Sequence, residues 1–269
     1  MIWTMDLELT GKRALVTGGS RGIGKAVARA LAAEGCDLVV AARGKEMLDA
    51  SAAEIAEETG CRVVAVVADT GSGESVQAMV DSTVDALGGV DILVNCAAKP
   101  AGQAPAPKLE GITDELFWED MNVKVLGYLR CAQAVAPLMV ASGWGRIINV
   151  SGLAARMATS AVGSMRNVAV AALTKNLADE LGPHGVNATV VHPGLTRTEA
   201  TPGVIGRLSE ARGITLEEAE RILASNSIRR LVSAEEVATV VAFLASPRSV
   251  ALNGDAIVCG GGQPGPIFY

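Results

Sequence analysis

Short runs of aliphatic and β-branched residues alternate along the chain with longer segments whose apolar positions recur at helical spacing. The order runs "RALVTGG", "GKAVARALAAEG", "CDLVVAAR", "EMLDASAAEIAEETG", "CRVVAVVAD", "VQAMVDSTVDALGG" and "VDILVNCAA". It continues through the long "ITDELFWEDMNVKVLGYLRCAQAVAPLMVASG", then "GRIINVSG", a helical pattern from Ser164 to Leu181, "VNATVVHPG", "SAEEVATVVAFLAS" and "DAIVCGGG". The uninterrupted apolar runs read as strands buried on both faces, and the alanine-rich segments as amphipathic helices. Strands that alternate with helices pair in parallel and carry helices on both faces of the sheet. The pattern therefore predicts an α/β chain with a doubly wound, Rossmann-like fold and a seven-stranded parallel sheet. No linker, repeat or low-complexity tract divides residues 1–269, so one domain is expected.

Two segments break the alternation. "KPAGQAPAPKLEGIT", Lys99 to Thr113, is rich in proline and glycine and reads as a loop between a strand and a helix. The segment from Thr196 to Arg230 reads as an insertion with one helix, "TLEEAERIL", opened by a capping box between Thr215 and Glu218. Ligands of open α/β sheets bind beyond the carboxyl ends of the strands. Both segments follow strands at that edge, which makes them candidate walls of a substrate pocket.

Composition narrows the class. Apolar residues make up 49% of the chain, enough for a substantial core, while aromatic residues are only 3%, so thin side chains must pack the helices close to the sheet. A net charge of −6 without a basic cluster argues against nucleic acid and anionic membrane surfaces as partners, and favours small molecules. Five cysteines without a CxxC pair or a nearby histidine suggest neither a disulfide framework nor a metal site, as expected of a reduced cytoplasmic protein. Asp6 and Glu8 interrupt the region in which a secretory signal would need an apolar run, and no long apolar run follows; neither export nor membrane insertion is expected.

The candidate chemistry begins after the first strand. "TGGSRGIG" places Gly18, Ser20, Arg21, Gly22, Ile23 and Gly24 at a strand-to-helix turn. Glycines there let the backbone approach a pyrophosphate, and the helix N-terminus presents free N–H groups to it. The second strand ends in Ala42 and Arg43, without the carboxylate that would bind the ribose hydroxyls of NAD. Arg43, with Arg21 beside it, suits the additional phosphate of NADP(H), which is therefore expected over NAD(H).

These residues make the chain similar, over essentially its whole length, to the short-chain dehydrogenases/reductases. The family's TGxxxGxG turn matches Thr17, Gly18, Gly22 and Gly24. Its adenine-contacting aspartate matches Asp69, and its Asn-Asn-Ala-Gly segment appears as "NCAA", with Asn95 and Ala97. The resemblance assigns Asn122 of "DMNVKVLG" to the asparagine that organises water or backbone at the site. Pro193 and Gly194 match its Pro-Gly after the sixth strand, with Thr198 at the position that meets the cofactor amide or phosphate. Its substrate-binding serine is the second of a pair, a place that holds Gly152 here, and Ser151 just before it is the candidate for the substrate oxygen. It also implies a homodimer or homotetramer.

One part of the family pattern departs. A tyrosine and, four residues later, a lysine handle the substrate proton in this family. Aligned from "LTKNLADELG", those places hold Gly163 and Asn167. Positions i and i+4 share a helix face, which lets the lysine ammonium stabilise a phenolate; neither replacement offers that chemistry. Three readings stand: an atypical oxidoreductase with another proton source; a non-redox enzyme on the same scaffold using Arg166 and Ser151; and an inactive NADP-binding partner subunit. His192, at the end of the sixth strand, reads as a satisfied buried histidine ahead of a proton shuttle. The apolar tail Ile267, Phe268 and Tyr269 is expected to dock on a neighbouring subunit.

Overall fold

The computed structural model of the protein describes residues 6–99, 107–158 and 160–265. In chain order the elements are β1 (Arg13–Thr17), α1 (Gly22–Ala33), β2 (Asp37–Ala42), α2 (Lys45–Thr59), β3 (Val63–Val67), α3 (Gly73–Leu87), β4 (Ile92–Asn95), α4 (Asp114–Met121) and α5 (Gly127–Ser142). They continue with β5 (Gly145–Val150), α6 (Ala161–Leu181), β6 (Val186–Pro193), β7 (Thr196–Arg197), α7 (Thr201–Arg212), α8 (Leu216–Leu223), β8 (Val232–Ser233), α9 (Ala234–Ala245) and β9 (Ala256–Cys259). Seven strands form one sheet in the order β3-β2-β1-β4-β5-β6-β9, and all its pairings are parallel. This is the doubly wound fold that the alternation predicts.

Successive strand residues point to opposite faces of the sheet, and each face has its own core. Ala14, Val16, Leu38, Val40, Ile92 and Val94 pack beneath α1, α2 and α9. Their alternates Leu15, Val39, Ala41 and Leu93 pack beneath α3, α5 and α6. A strand buried on both faces reads as a continuous apolar run, which is why the strands are plain in the sequence. The helical stretch Asp114–Ser142 is long and apolar enough to cross a bilayer. Here it buries Cys131, Val135 and Met139 against the sheet.

The structure refines the expected elements in three places. α6 begins at Ala161, ahead of the expected Ser164, because Ser160 caps it: its hydroxyl accepts the Gly163 N–H at 3.0 Å. The long helix expected after Thr113 is interrupted by a π-helical turn, Asn122–Leu126, between α4 and α5. The insertion carries two helices. Its capping box at Thr215 and Glu218 forms as expected, while α7 has Gly203 and Gly206 inside it, which mask its helical pattern. The insertion's two ends meet in a short parallel ladder, Thr196 with Val232 and Arg197 with Ser233. Residues 100–106 of the proline-rich loop and the tail Ile267, Phe268 and Tyr269 lie outside the described residues.

Candidate active site

The sheet order reverses at β1, which has β2 on one side and β4 on the other. Helices leave toward opposite faces at such a point and a crevice opens beyond the strand ends. A cavity of about 990 Å³ lies there. Every residue expected at the cofactor lines it except Asn95, and so does Ser151.

Glycine is required where the turn closes on its neighbours. Gly18 has φ of 72°, and a Cβ added there would sit 2.9 Å from the Ala97 nitrogen; a Cβ on Gly24 would meet the Gly18 carbonyl oxygen at 2.2 Å. Thr17 ties the turn to the end of β4, its hydroxyl accepting the N–H groups of Cys96 and Ala97 at 3.2 and 3.3 Å. Arg21 stands at the N-cap of α1 without a side-chain cap hydrogen bond, so the helix N-terminus is left for another acceptor. That acceptor is the Glu199 carboxylate, which takes the Gly22 N–H at 3.1 Å. An anion already held at this helix N-terminus is what a pyrophosphate-binding turn would do. The size of the cavity, the tight glycine turn and the two cations Arg21 and Arg43 on its wall fit a dinucleotide.

Asn95 lies beneath the cavity rather than on its wall. It is fully buried, its amide donates to Asn149 Oδ1 at 2.9 Å, and Asn149 in turn donates to the Thr174 hydroxyl at 2.9 Å. The side chains bridge β4, β5 and α6, a structural role in place of the expected cofactor contact. Asn122 also departs from expectation. It is absent from the cavity wall, and its amide donates to the Gly71 carbonyl at 3.1 Å. The π-helical turn that starts at Asn122 shifts the helix register, so that Lys124 reaches the cavity instead.

Beneath the ends of β5 and β6 the wall is a chain of hydrogen bonds. Lys124 Nζ donates to the Ser151 carbonyl at 2.9 Å. The Ser151 hydroxyl is 3.1 Å from both the carbonyl oxygen and Oδ1 of Asn167. The Asn167 amide donates to the Gly163 carbonyl at 2.9 Å. Arg166 lines the cavity too, but its Nη1 donates to both Asp120 carboxylate oxygens, at 2.6 and 2.8 Å, while its buried Nε has no partner among the described residues. Tyr128 is fully buried, donates to the Val150 carbonyl at 2.9 Å, and is held well above the usual phenol pKa by that burial.

Burial also governs the two nitrogen bases nearby. Lys124 is pushed down to about 7, first by burial and then by the Arg166 charge. His192 is pushed down to about 4 by burial, with Arg156 and Lys124 adding to it. His192 does not line the cavity, and among the described residues its buried Nδ1 has no hydrogen-bond partner, where sequence led to the expectation of a satisfied histidine. Sequence reasoning passed over Lys124. The signal was present: it is the one charged residue in "VKVLGYL", between apolar neighbours that belong to a core.

Known proteins resemble the chain across nearly all of it. The family model described as Enoyl-(Acyl carrier protein) reductase matches residues 18–263. The short-chain reductase protein NovJ of Streptomyces niveus is 35% identical over 252 residues, which are 93% of this chain and 93% of that protein. The crystal structure of L-sorbose reductase from Gluconobacter frateurii, complexed with NADPH and L-sorbose, superposes with a TM-score of 0.92 at 30% identity, covering 98% of this chain and 100% of that one. Actinorhodin polyketide ketoreductase with NADPH superposes with a TM-score of 0.86 at 31% identity, covering 93% and 96%.

Proposed function

The chain belongs to the short-chain dehydrogenase/reductase family, and from that premise we propose that it is an atypical NADP(H)-dependent oxidoreductase acting on a carbonyl or alcohol. The observation that carries this reading is the cavity at the switch point. It keeps the close-packed glycine turn and a helix N-terminus engaged with an anion, and it has Arg21 and Arg43 on its wall. Two relatives solved with NADPH support the same cofactor.

In this reading the Gly22 N–H and its neighbours hold the pyrophosphate, Arg43 and Arg21 the 2′-phosphate, and Asp69 the adenine. Ala97, Pro193, Gly194 and Thr198 enclose the nicotinamide. The bound cofactor would supply or accept the hydride. Gly163 and Asn167 stand in the register of the family's tyrosine and lysine, and both lie on the cavity wall, where neither offers a proton. Val204 of α7 and Ile222 and Leu223 of α8 also line the cavity, with Leu153 and Met157. An apolar wall of this kind suits a substrate whose carbonyl is flanked by hydrocarbon. Exposed Trp118 on α4 and Met165 and Val168 on α6 support a homo-oligomer.

The non-redox alternative needs Arg166 as an anion binder, and the ion pair with Asp120 already engages that guanidinium. The test is a fluorescence titration with NADPH and with NADH, on the wild type and on Arg43→Ala. A charge-assisted hydrogen bond is worth about 1.5–3 kcal/mol, so Arg43→Ala should weaken NADPH roughly 10- to 100-fold and leave NADH unchanged. Equal affinity of the wild type for both nucleotides would refute the NADP preference, and binding of neither would refute the oxidoreductase reading.

A further inference from the structure

A carbonyl that accepts hydride also needs a proton at its oxygen, and the wall beneath β5 and β6 holds few groups able to give one. The Ser151 hydroxyl is engaged with Asn167, whose amide is engaged with Gly163. Tyr128 is off the wall and donates to Val150. Arg166 is paired with Asp120. Lys99 lies on the wall but pairs with Glu119 at an exposed position.

Lys124 differs from all of these. Its residue is only 4% exposed, yet it lines the cavity. One of its three N–H groups is spent on the Ser151 carbonyl, the single hydrogen bond of this amine among the described residues. It makes no ion pair among the described residues. The π-helical turn Asn122–Leu126 places it there, two hydrogen bonds from Asn167 along the chain that runs through Ser151.

Resting on the function proposed above, we infer that Lys124 is the acid–base group of this cavity, exchanging a proton with the substrate oxygen in place of the groups that Gly163 and Asn167 do not carry. In reduction the ammonium gives up a proton, directly or through one water, as the hydride drawn from the reduced nicotinamide reaches the carbonyl carbon. The N–H bond breaks, the O–H bond forms and the C=O π pair moves to oxygen. The carbonyl is reduced to the alcohol, the nicotinamide is oxidised, and the neutral amine regains its proton from solvent.

The groups that face Lys124 set its readiness to do this. Arg166 from α6 opposes its charge; Cys96 beyond β4 and Asp120 from α4 favour it; His192 of β6 is held neutral by burial near neutral pH. With the amine at about 7, both protonation states are populated at neutral pH, which suits a group that donates and accepts.

The experiment compares wild type, Lys124→Met and Lys124→Arg. A lysine-selective carbon-13 NMR titration of the full chain should show one lysine titrating near neutrality, absent from Lys124→Met. Carbonyl reduction should fall about 10²- to 10⁴-fold in both variants, with NADPH affinity within a few-fold of wild type. The wild-type rate should decline as the pH rises above about 7, and Lys124→Arg should lose that limb because arginine stays protonated. A Lys124 resonance titrating at the ordinary lysine value, or a Lys124→Met enzyme with wild-type turnover, overturns the inference alone. A wild type that binds NADPH but turns over no carbonyl or alcohol overturns this inference and the proposed function together. Borohydride trapping of a carbonyl substrate on Lys124 would identify a nucleophile and also overturn it.

Discussion

Replacing Lys124 by methionine should make the protein more stable, and by an amount that depends on pH. Methionine fills similar volume without a charge to desolvate. The fall of the lysine from 10.5 to about 7 on folding, at about 1.36 kcal/mol for each pH unit, means that burying this amine costs roughly 4 kcal/mol at pH 7. Between pH 7 and 10 the unfolded chain holds this proton and the folded chain has released it, so stability rises with pH across that window. At pH 9 the remaining cost is about 2 kcal/mol by the same linkage. Removing the hydrogen bond to the Ser151 carbonyl takes back about 1 kcal/mol. Lys124→Met should therefore exceed wild type by about 3 kcal/mol at pH 7 and about 1 kcal/mol at pH 9. The assay is urea unfolding of both proteins at pH 7, 8 and 9, where the pH dependence of groups that do not interact with Lys124 cancels in the difference. A gap that does not narrow with pH, or a variant less stable than wild type at pH 7, would refute the reasoning.

Two other substitutions test the cofactor turn. Glu199 occupies the Gly22 N–H that a pyrophosphate needs, so Glu199→Gln should tighten NADPH several-fold in the same titration, and unchanged or weaker binding would show that the contact does not compete. Gly24→Ala sets a methyl 2.2 Å from the Gly18 carbonyl oxygen, a clash that only backbone movement relieves; we expect a loss of more than about 2 kcal/mol in thermal or urea unfolding, and a variant as stable as wild type would mean that the turn is looser than described.

The sheet was legible because its strands are buried on both faces, and α7 was obscured by Gly203 and Gly206, whose helical stability comes from context rather than propensity. The glycine turn was legible because its chemistry is backbone chemistry, encoded by which residues lack a side chain. Lys124 was hidden for a different reason. Helical periodicity assumes 3.6 residues per turn, and a π-helical turn changes which residue faces inward without marking the sequence. The same shift moved Asn122 onto Gly71. Asn95 was misplaced because sequence proximity to the turn does not say whether a side chain points into the cavity or under it; its partner Asn149 lies on the neighbouring strand.

The short ladder of Thr196–Arg197 with Val232–Ser233 brings the two ends of the intervening segment together on the sheet side. Its exit is fastened again, since Ser233 caps α9 through Glu236 and Arg230 pairs with the same carboxylate. A segment clasped at its base behaves as an interchangeable cassette. The entropy of closing it grows only slowly with its length, so helices can be lengthened, shortened or exchanged between the clasps while the parallel register beneath stays fixed. Grafting the corresponding segment of a relative between residues 198 and 231 is then a route to changing what enters the cavity without rebuilding the cofactor turn.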